Sequence, residues 1–422
     1  MNPEWLTTRR EFLDKNLTLL AAGATVPAFL DRTAWALDDP KDVRQTRSRP
    51  GVPEDRILVI VQLAGGNDGL NTVIPYGHNA YRRARPRLAI AGADVLKFDD
   101  DFGFHPAAKG LRQLYDDGLL SIVQGVGYPN PNRSHFRSTD IWATASPDGH
   151  KYDGWMGRYF DNTCRGSDPC PPEAAIALTS ESPLTLRGDR FQPVSFTNPQ
   201  ALRWVGGRRP AMAEAFAALN QPDEPGPPVT ELDYLRRTAL NARVSSAKIR
   251  EANRGRSRAD YASSPFARSL RTIARMIAAE LPTRVYYAAL GGFDTHAGQA
   301  NRHRQLLTQL GDGLRAFLAD LKAQGNLDRV VVMTFSEFGR RVAENGSGGT
   351  DHGEASSLFL LGTKVHAGLH GQHPDLERLN RGDLAFTTDF RRVYASVLTD
   401  WLGADATSIL GQRFEPLKLI RA

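Results

Sequence analysis

The stretch Arg56 to Asn71, RILVIVQLAGGNDGLN, constrains the fold of this chain more than any other. Its continuous apolar run from Ile57 to Val61 has the length and β-branched content of a strand that is buried on both faces. Gly65 and Gly66 follow, and glycine lets the backbone turn sharply and approach a ligand. Asp68 would then stand at the carboxyl end of a central strand, where open α/β sheets bind ligands. Taken alone, the motif more often marks an ordinary strand-to-loop turn.

Further apolar runs with helical patterns between them predict an α/β fold. Strands are predicted at Leu119 to Val126, Thr283 to Leu290, Arg329 to Phe335 and Ser357 to Leu361. Helices are predicted at His105 to Gly118, Ser134 to Ala145, Gly298 to Gln324 and Thr388 to Leu402. Strands and helices that alternate through short connections are typical of right-handed parallel crossovers. Residues of about 150–280 are first irregular and then strongly helical, and we interpret them as an insertion on the sheet.

The first 36 residues predict an export signal. Residues 8–13 (TRREFL) form a twin-arginine pattern, residues 17–30 are moderately apolar, and residues 34–36 (AWA) offer a small-x-small cleavage site. The apolar run is too short to cross a bilayer comfortably. We therefore expect a twin-arginine signal peptide over 1–36, a polar linker over 37–55 and a mature domain over 56–422. The domain would use the twin-arginine translocation machinery and work in the periplasm or outside the cell, without a stable membrane span.

The net charge indicates which kinds of partner the protein can bind. The formal charge is +6 and the pI about 9.3, which suits an anionic small-molecule or glycan ester substrate. No basic stripe alternates with aromatic residues and no helix-turn-helix or zinc-finger spacing occurs, so we expect no nucleic-acid binding.

The two cysteines, Cys164 and Cys170, would close a short disulfide loop in an oxidising compartment. The alternative, a metal site, is disfavoured because two thiols alone make a poor one.

Candidate functional residues follow the carboxyl ends of different predicted strands, and in a parallel sheet those ends share one edge. Asp and His side chains hold zinc and similar divalent ions, and two such ions can clamp the oxygens of a phosphoryl or sulfuryl transfer. A serine bound to one of them would become a nucleophile. The residues concerned are Asp68, Ser134, Asp294, His296, Glu337, Asp351 and His352.

Each of these residues also has a purely structural explanation. Asp294 and His296 are compatible with a helix N-cap and an exposed histidine, and Asp351-His352-Gly353 with a turn. The remaining alternatives are an N-cap role for Ser134, packing of His135 beside it, an ion pair of Glu337 with Arg340 or Arg341, and solvated surface charge at Arg133 and Arg341.

The motifs AGGNDGLN, RSHFRSTDIW, GGFDTH, SEFGRR and GTDHG, in this order behind a twin-arginine signal, resemble the bacterial DUF1501 family. The resemblance covers nearly the whole chain, including the C-terminal TDFRRVYASVLTDWLG. That family is of unknown function and is placed near the alkaline phosphatase and sulfatase superfamily. The resemblance implies an alkaline phosphatase-like mixed, largely parallel sheet sandwiched by helices, with a two-metal hydrolytic site.

Carried over by motif, the resemblance gives each residue a role. Asp68, Asp351 and His352 match the ligands of one metal, Asp294 and His296 match those of the second, and Ser134 matches the nucleophile. Arg133 would hold the anion, and His135 is counted with Ser134 as a candidate catalytic residue. Asp294 and His296 are spaced more closely than the phosphatase ligands usually are. A further ligand of the second metal is sought among five histidines, His105, His135, His366, His370 and His373.

Together these patterns predict an exported, metal-dependent hydrolase of phosphate or sulfate esters. Its cofactor would be a divalent ion such as zinc, manganese, calcium or magnesium. The Cys-x-Pro-x-Arg signature that yields a formylglycine is absent, so a formylglycine sulfatase is not expected. The alternative is a catalytically silent alkaline phosphatase-like scaffold or envelope binding protein, which the incomplete ligand set favours.

Overall fold

A computed structural model of the protein describes residues 55–164, 170–202, 210–219 and 245–421. The predicted signal peptide (1–36) and the predicted linker up to residue 54 lie outside the described residues, and so does the stretch 220–244 of the predicted insertion. Within the described part of the chain, no helix is both long and apolar enough to cross a membrane.

Twelve strands are described. They are β1 (Ile57–Ala64), β2 (Val73–Ile74), β3 (Leu96–Lys97), β4 (Gly103–Phe104), β5 (Leu120–Gly127), β6 (Ala175–Ala177), β7 (Val194–Ser195), β8 (Val285–Gly291), β9 (Val330–Phe335), β10 (Ser356–Leu361), β11 (Gly368–His370) and β12 (Thr388–Asp389). Nine of them form the main sheet, and β2, β4 and β3 form a small antiparallel sheet.

The main sheet has the order β11-β5-β10-β9-β1-β8-β6-β7, with β12 also paired to β5. Strand β1 is central and lies parallel to both β8 and β9. Only β10 runs against its neighbours, since it pairs antiparallel with β5 and with β9. Strands β1, β5, β8 and β9 therefore point the same way, and their carboxyl ends meet at one edge of the sheet.

The helices are α1 (Asn79–Ala84), α2 (Lys109–Asp116), α3 (His135–Thr144), α4 (Trp155–Thr163), α5 (Pro210–Leu219), α6 (Pro265–Ala278), α7 (Gln299–Gln324), α8 (Phe390–Ser396) and α9 (Ala406–Leu410). Residues 245–252 are also helical. Single 3₁₀ turns lie at Gly69–Asn71, Pro172–Ala174, Leu184–Leu186, Pro199–Ala201 and Leu327–Arg329, and a π turn at Val397–Trp401 continues α8.

Helices cover both faces of the main sheet. Along β1, Ile57, Val59 and Val61 pack into one core with α2, α6 and α7, whereas Leu58 and Ile60 pack into a second core with α3, α4, α8 and α9. The alternation explains the unbroken apolar run, because neither face of this strand reaches solvent. The prediction of a mixed, largely parallel sheet sandwiched by helices is confirmed.

Two details refine the sequence interpretation. Within the range 150–280, β6 and β7 extend the main sheet beyond β8, so this range contributes to the core as well as to the helical layer. Whether it arose as an insertion stays a prediction. Cys164 and Cys170 form a disulfide with their Cα atoms 5.2 Å apart, which agrees with the expected local loop.

Candidate metal centre

Three histidines surround one carboxylate at the edge where the parallel strands end. The Nε2 atoms of His296 and His352 both lie 3.1 Å from Oδ1 of Asp294, and Nε2 of His135 lies 3.5 Å from its Oδ2. The loop after β8 supplies Asp294 and His296, the first turn of α3 supplies His135, and the loop between β9 and β10 supplies His352. Of the five histidines considered as a further ligand, His135 is the one in this cluster.

The other ring nitrogen of each histidine is held by an oxygen. Nδ1 of His135 lies 2.9 Å from Oε1 of Glu337, Nδ1 of His296 lies 3.2 Å from Oδ1 of Asp351, and Nδ1 of His352 lies 2.8 Å from the Arg133 carbonyl. Carbonyl and carboxylate oxygens accept hydrogen bonds, so each Nδ1 is the donor. In a neutral ring the lone pair is then on Nε2, which faces Asp294. Burial lowers the pKa of His352 and favours its neutral ring.

This arrangement fits a divalent cation. The Nε2 atoms of His296 and His352 are only 2.9 Å apart, and two lone pairs at that distance require a cation or a proton between them. Nε2 of His135 is buried and has no hydrogen-bond partner among the described residues. Imidazole nitrogens that donate from their far side to oxygen, together with one carboxylate, form a typical ligand set for zinc and similar metals.

The electrostatics keep the Asp294 carboxylate ionised. Partial burial acts to raise its pKa, but the hydrogen bond and the positive charge of Arg340 prevail and lower the pKa of Asp294 to about 2. The Arg340 guanidinium donates to Oδ1 at 2.9 Å. Oδ1 is therefore shared with a cation of the protein, and Oδ2 is the oxygen that remains open on the side of His135.

Arg340 organises the loops around the centre. Its buried guanidinium donates to the carbonyls of Gly65, Gly66, Phe293 and Thr350, with three of these bonds at 2.8–2.9 Å. It thus ties together the loops after β1, β8 and β9. The sequence predicts Arg340 only as an alternative partner of Glu337, although a charged residue beside several glycine-rich strand ends is a signal for this wider role.

Glu337 and Gly65 fix the position of the β1 loop beside the centre. Instead of pairing with Arg340 or Arg341, Glu337 accepts from Nδ1 of His135 and from the Gly65 amide at 2.7 Å. Gly65 has a φ of +115°, and a side chain there would collide with the backbone nitrogen of Asp294. Glycine is therefore required for the close approach of the β1 loop to this carboxylate.

Asp68 lies apart from the cluster. Its buried carboxylate forms an ion pair with Arg85 at 2.6 Å and also accepts from Gln299. Burial acts to raise the pKa of Asp68, but the charge of Arg85 and the nearby His303 hold that pKa below its usual value. The structure does not join Asp68 to Asp351 and His352, because a guanidinium occupies the position beside Asp68 and Asp351 hydrogen-bonds to His296.

Arg133 and Ser134 directly precede His135 of the cluster in the chain. Ser134 is exposed at the N-cap position of α3, and its side chain makes no capping hydrogen bond. Its hydroxyl is thus not engaged in the structural role that was the alternative. Arg133 contributes its carbonyl to His352, while its guanidinium pairs with Asp383.

The buried side chain of His303 should make the free energy of unfolding depend on pH. Burial lowers its pKa to about 4, so between pH 6.5 and pH 4 the unfolded chain binds more protons than the folded one. Stability should be full above pH 6.5 and decline as pH falls, with about 2 kcal/mol lost between pH 7 and pH 5 through this residue. Urea denaturation at both values should show a weaker decline for His303→Gln. The exposed His150→Gln serves as the control, and equal declines in all three proteins would contradict the assignment.

Comparison with known proteins gives a family. Residues 121–398, more than half of the chain, match the family described as "Protein of unknown function (DUF1501)". No curated protein matches the chain significantly.

Several solved structures resemble the chain weakly. Lipoteichoic acid synthase LtaP from Listeria monocytogenes is 12% identical with a TM-score of 0.30, over 79% of this chain and 75% of that one. The PsFucS1 sulfatase from Pseudoalteromonas sp. is 10% identical with a TM-score of 0.35, over 92% and 72%. Phosphonate monoester hydrolase SpPMH from Silicibacter pomeroyi is 10% identical with a TM-score of 0.31, over 86% and 78%. At such identities and scores the likeness carries no argument about this chain.

Proposed function

This chain belongs to the DUF1501 family, a family of unknown function, and from the geometry of its candidate metal centre we propose that it is an exported, metal-dependent hydrolase of phosphate or sulfate esters. One observation carries the proposal: three histidines turn Nε2 toward one ionised carboxylate while an oxygen holds each Nδ1. The substrate would be an anionic small-molecule or glycan ester in the periplasm or outside the cell. The protein would reach that compartment through the twin-arginine pathway.

His135, Asp294 and His352, whose ligand atoms all lie within 4.8 Å of one another, would hold one ion, and His296 would adjoin it through His352 and Asp294. A divalent ion there would supply Lewis-acid polarisation of an ester oxygen and would lower the pKa of a neighbouring hydroxyl group or water. Glu337, Asp351 and the Arg133 carbonyl keep the three rings oriented. Imidazole ligands favour zinc over manganese, calcium or magnesium, which prefer oxygen ligands.

Ser134 would be the nucleophile. Its exposed hydroxyl stands next to His135 in the chain, at the N-terminus of α3, where amide N–H groups and the helix dipole favour an anionic group. The Ser134 oxygen would bond to phosphorus or sulfur, and the ester oxygen would leave as the alcohol with a proton returned through water. A water molecule would then release phosphate or sulfate and restore the serine.

A one-ion centre fits the residues better than the two-ion site of the sequence-based expectation. The carboxylate of Asp68 is already neutralised by Arg85, which supplies a fixed positive charge where the ion of Asp68, Asp351 and His352 was expected. The same observation favours the second candidate function, a catalytically silent scaffold or envelope binding protein. Arg340 at Asp294 points the same way, since a guanidinium competes with an ion for that carboxylate.

Metal analysis of the mature protein tests the proposal. We expect about one equivalent of zinc in the wild type and none in His352→Ala. Asp351→Ala should bind the ion about 10–100-fold more weakly because it removes the oxygen that accepts from Nδ1 of His296. Ser134→Ala should keep the ion and lose hydrolysis of 4-nitrophenyl phosphate and sulfate, whereas the exposed His150→Gln should change neither. A wild type that takes up no ion on titration would leave only the silent scaffold.

A further inference from the structure

Two arginines converge on one buried carboxylate beside the metal centre. The Arg133 guanidinium forms an ion pair with Oδ2 of Asp383, and Nε of Arg341 lies 3.5 Å from Oδ1. The Asp383 side chain is fully buried, whereas each arginine side chain is 37% exposed. The two guanidinium groups thus lie between the buried Asp383 carboxylate and solvent.

The backbones of both arginines are attached to the centre. The Arg133 carbonyl accepts from Nδ1 of His352, and the Arg341 amide donates to the Asp351 carbonyl at 3.0 Å. Nδ1 of His352 is on the side of the ring away from Nε2, so Arg133 lies outside the shell of atoms that would touch an ion. Its guanidinium therefore adjoins the centre without being part of it.

Charge and free donors suit this pair to bind an anion. Two guanidinium groups face the one carboxylate of Asp383 at a partly exposed position. Nε and Nη1 of Arg133 have no hydrogen-bond partner in the described parts of the chain. Guanidinium groups with free N–H donors recognise sulfate, phosphate and carboxylate through paired hydrogen bonds.

We propose that Arg133 and Arg341, positioned by Asp383, bind a second anionic group of the substrate, a sulfate, phosphate or carboxylate next to the ester that is hydrolysed. This inference rests on the proposed function and narrows its substrate to polyanionic esters. Asp383 is a positioning residue, since it holds the two guanidinium groups side by side and touches no substrate itself.

Calorimetric titration with sucrose octasulfate, a probe that carries neighbouring sulfates, tests the subsite. Arg133→Gln and Arg341→Gln should each raise the Kd about tenfold or more. Arg413→Gln, which changes an 83% exposed arginine paired with Glu415, should change it less than about twofold. Equal weakening by all three substitutions, or none by the first two, would overturn the subsite.

Asp383→Asn separates a shaped receptor from general attraction. The substitution removes a negative charge, so a nonspecific basic surface would bind octasulfate more tightly. A receptor that depends on Asp383 to hold both guanidinium groups should bind it several-fold more weakly, and tighter binding would overturn the proposal. A thermal melt of each variant checks that it is folded, and the two arginine variants keep the test decisive if Asp383→Asn is not.

His352→Ala distinguishes this inference from the proposed function. The substitution should abolish ion binding yet keep the octasulfate Kd within about twofold. The hydrogen bond between His352 and Arg133 uses the Arg133 carbonyl, so its loss leaves the guanidinium group in place. If octasulfate binding is lost in His352→Ala and kept in Arg341→Gln, the anion binds at the metal centre and the subsite is wrong. If no ester is hydrolysed but the arginine variants still weaken binding, the hydrolase proposal fails and the anion subsite stands.

Discussion

Arg85→Met is expected to lower the free energy of unfolding by about 3–5 kcal/mol, because it leaves the Asp68 carboxylate charged and buried without its partner. Both side chains of this pair are at most 1% exposed, and Arg85 also donates to the carbonyls of Arg341 and Val342. The substitution would therefore strand several polar groups at once. Urea denaturation followed by circular dichroism measures the change.

The matched control is Arg83→Met, two residues earlier. Arg83 pairs with Glu377, and both side chains are more than 60% exposed, so its loss should change stability by less than about 0.5 kcal/mol. The double variant Arg85→Met/Asp68→Asn should recover part of the loss, since it removes the stranded charge. A change below about 1 kcal/mol for Arg85→Met would mean that Asp68 finds another partner or takes up a proton.

Arg340→Met should damage stability and the centre together. Four backbone carbonyls and Asp294 accept hydrogen bonds from this buried guanidinium, and each acceptor left unpaired costs about 1–3 kcal/mol. We expect a loss of at least about 3 kcal/mol together with loss of the bound ion. Thermal unfolding and metal analysis of the same preparation measure both effects.

Arg341→Met is the control for this second experiment. Arg341 follows Arg340 directly but is 37% exposed, and its contact with Asp383 is 3.5 Å long. Its removal should leave the ion in place and change stability by less than about 1 kcal/mol. If Arg340→Met kept its ion and its stability, the loops around the centre would be held by something other than this guanidinium.

The sheet could be predicted because its strands are long, apolar and buried on both faces. The same reasoning placed Asp294, His296 and His352 at one edge, since parallel strands end together. The direction in which each ring points could not be predicted. Whether Asp351 touches an ion or the far side of His296 depends on side-chain rotation, and nothing in the pair Asp-His distinguishes the two arrangements.

The ion pair between Asp68 and Arg85 could not be predicted from the sequence either. Arg85 lies just after the short helix α1, in a stretch that has four arginines and no clear period. Nothing local indicates which arginine turns inward and which three remain at the surface. The pairing is set by tertiary packing, since Arg85 is also held by carbonyls more than 250 residues away.

The central position of β1 has a consequence for the order of events in the cell. This first strand of the domain pairs with β8 and β9. Both edges of β1 are therefore covered only after Val330, the partner of Ile57 in β9, has been synthesised. A nascent chain would carry an uncovered, strongly apolar strand through most of its synthesis, and such edges invite aggregation. Contacts this distant in sequence also close slowly. Translation is thus nearly finished before the domain can be assembled, and chaperones have a long interval in which to act.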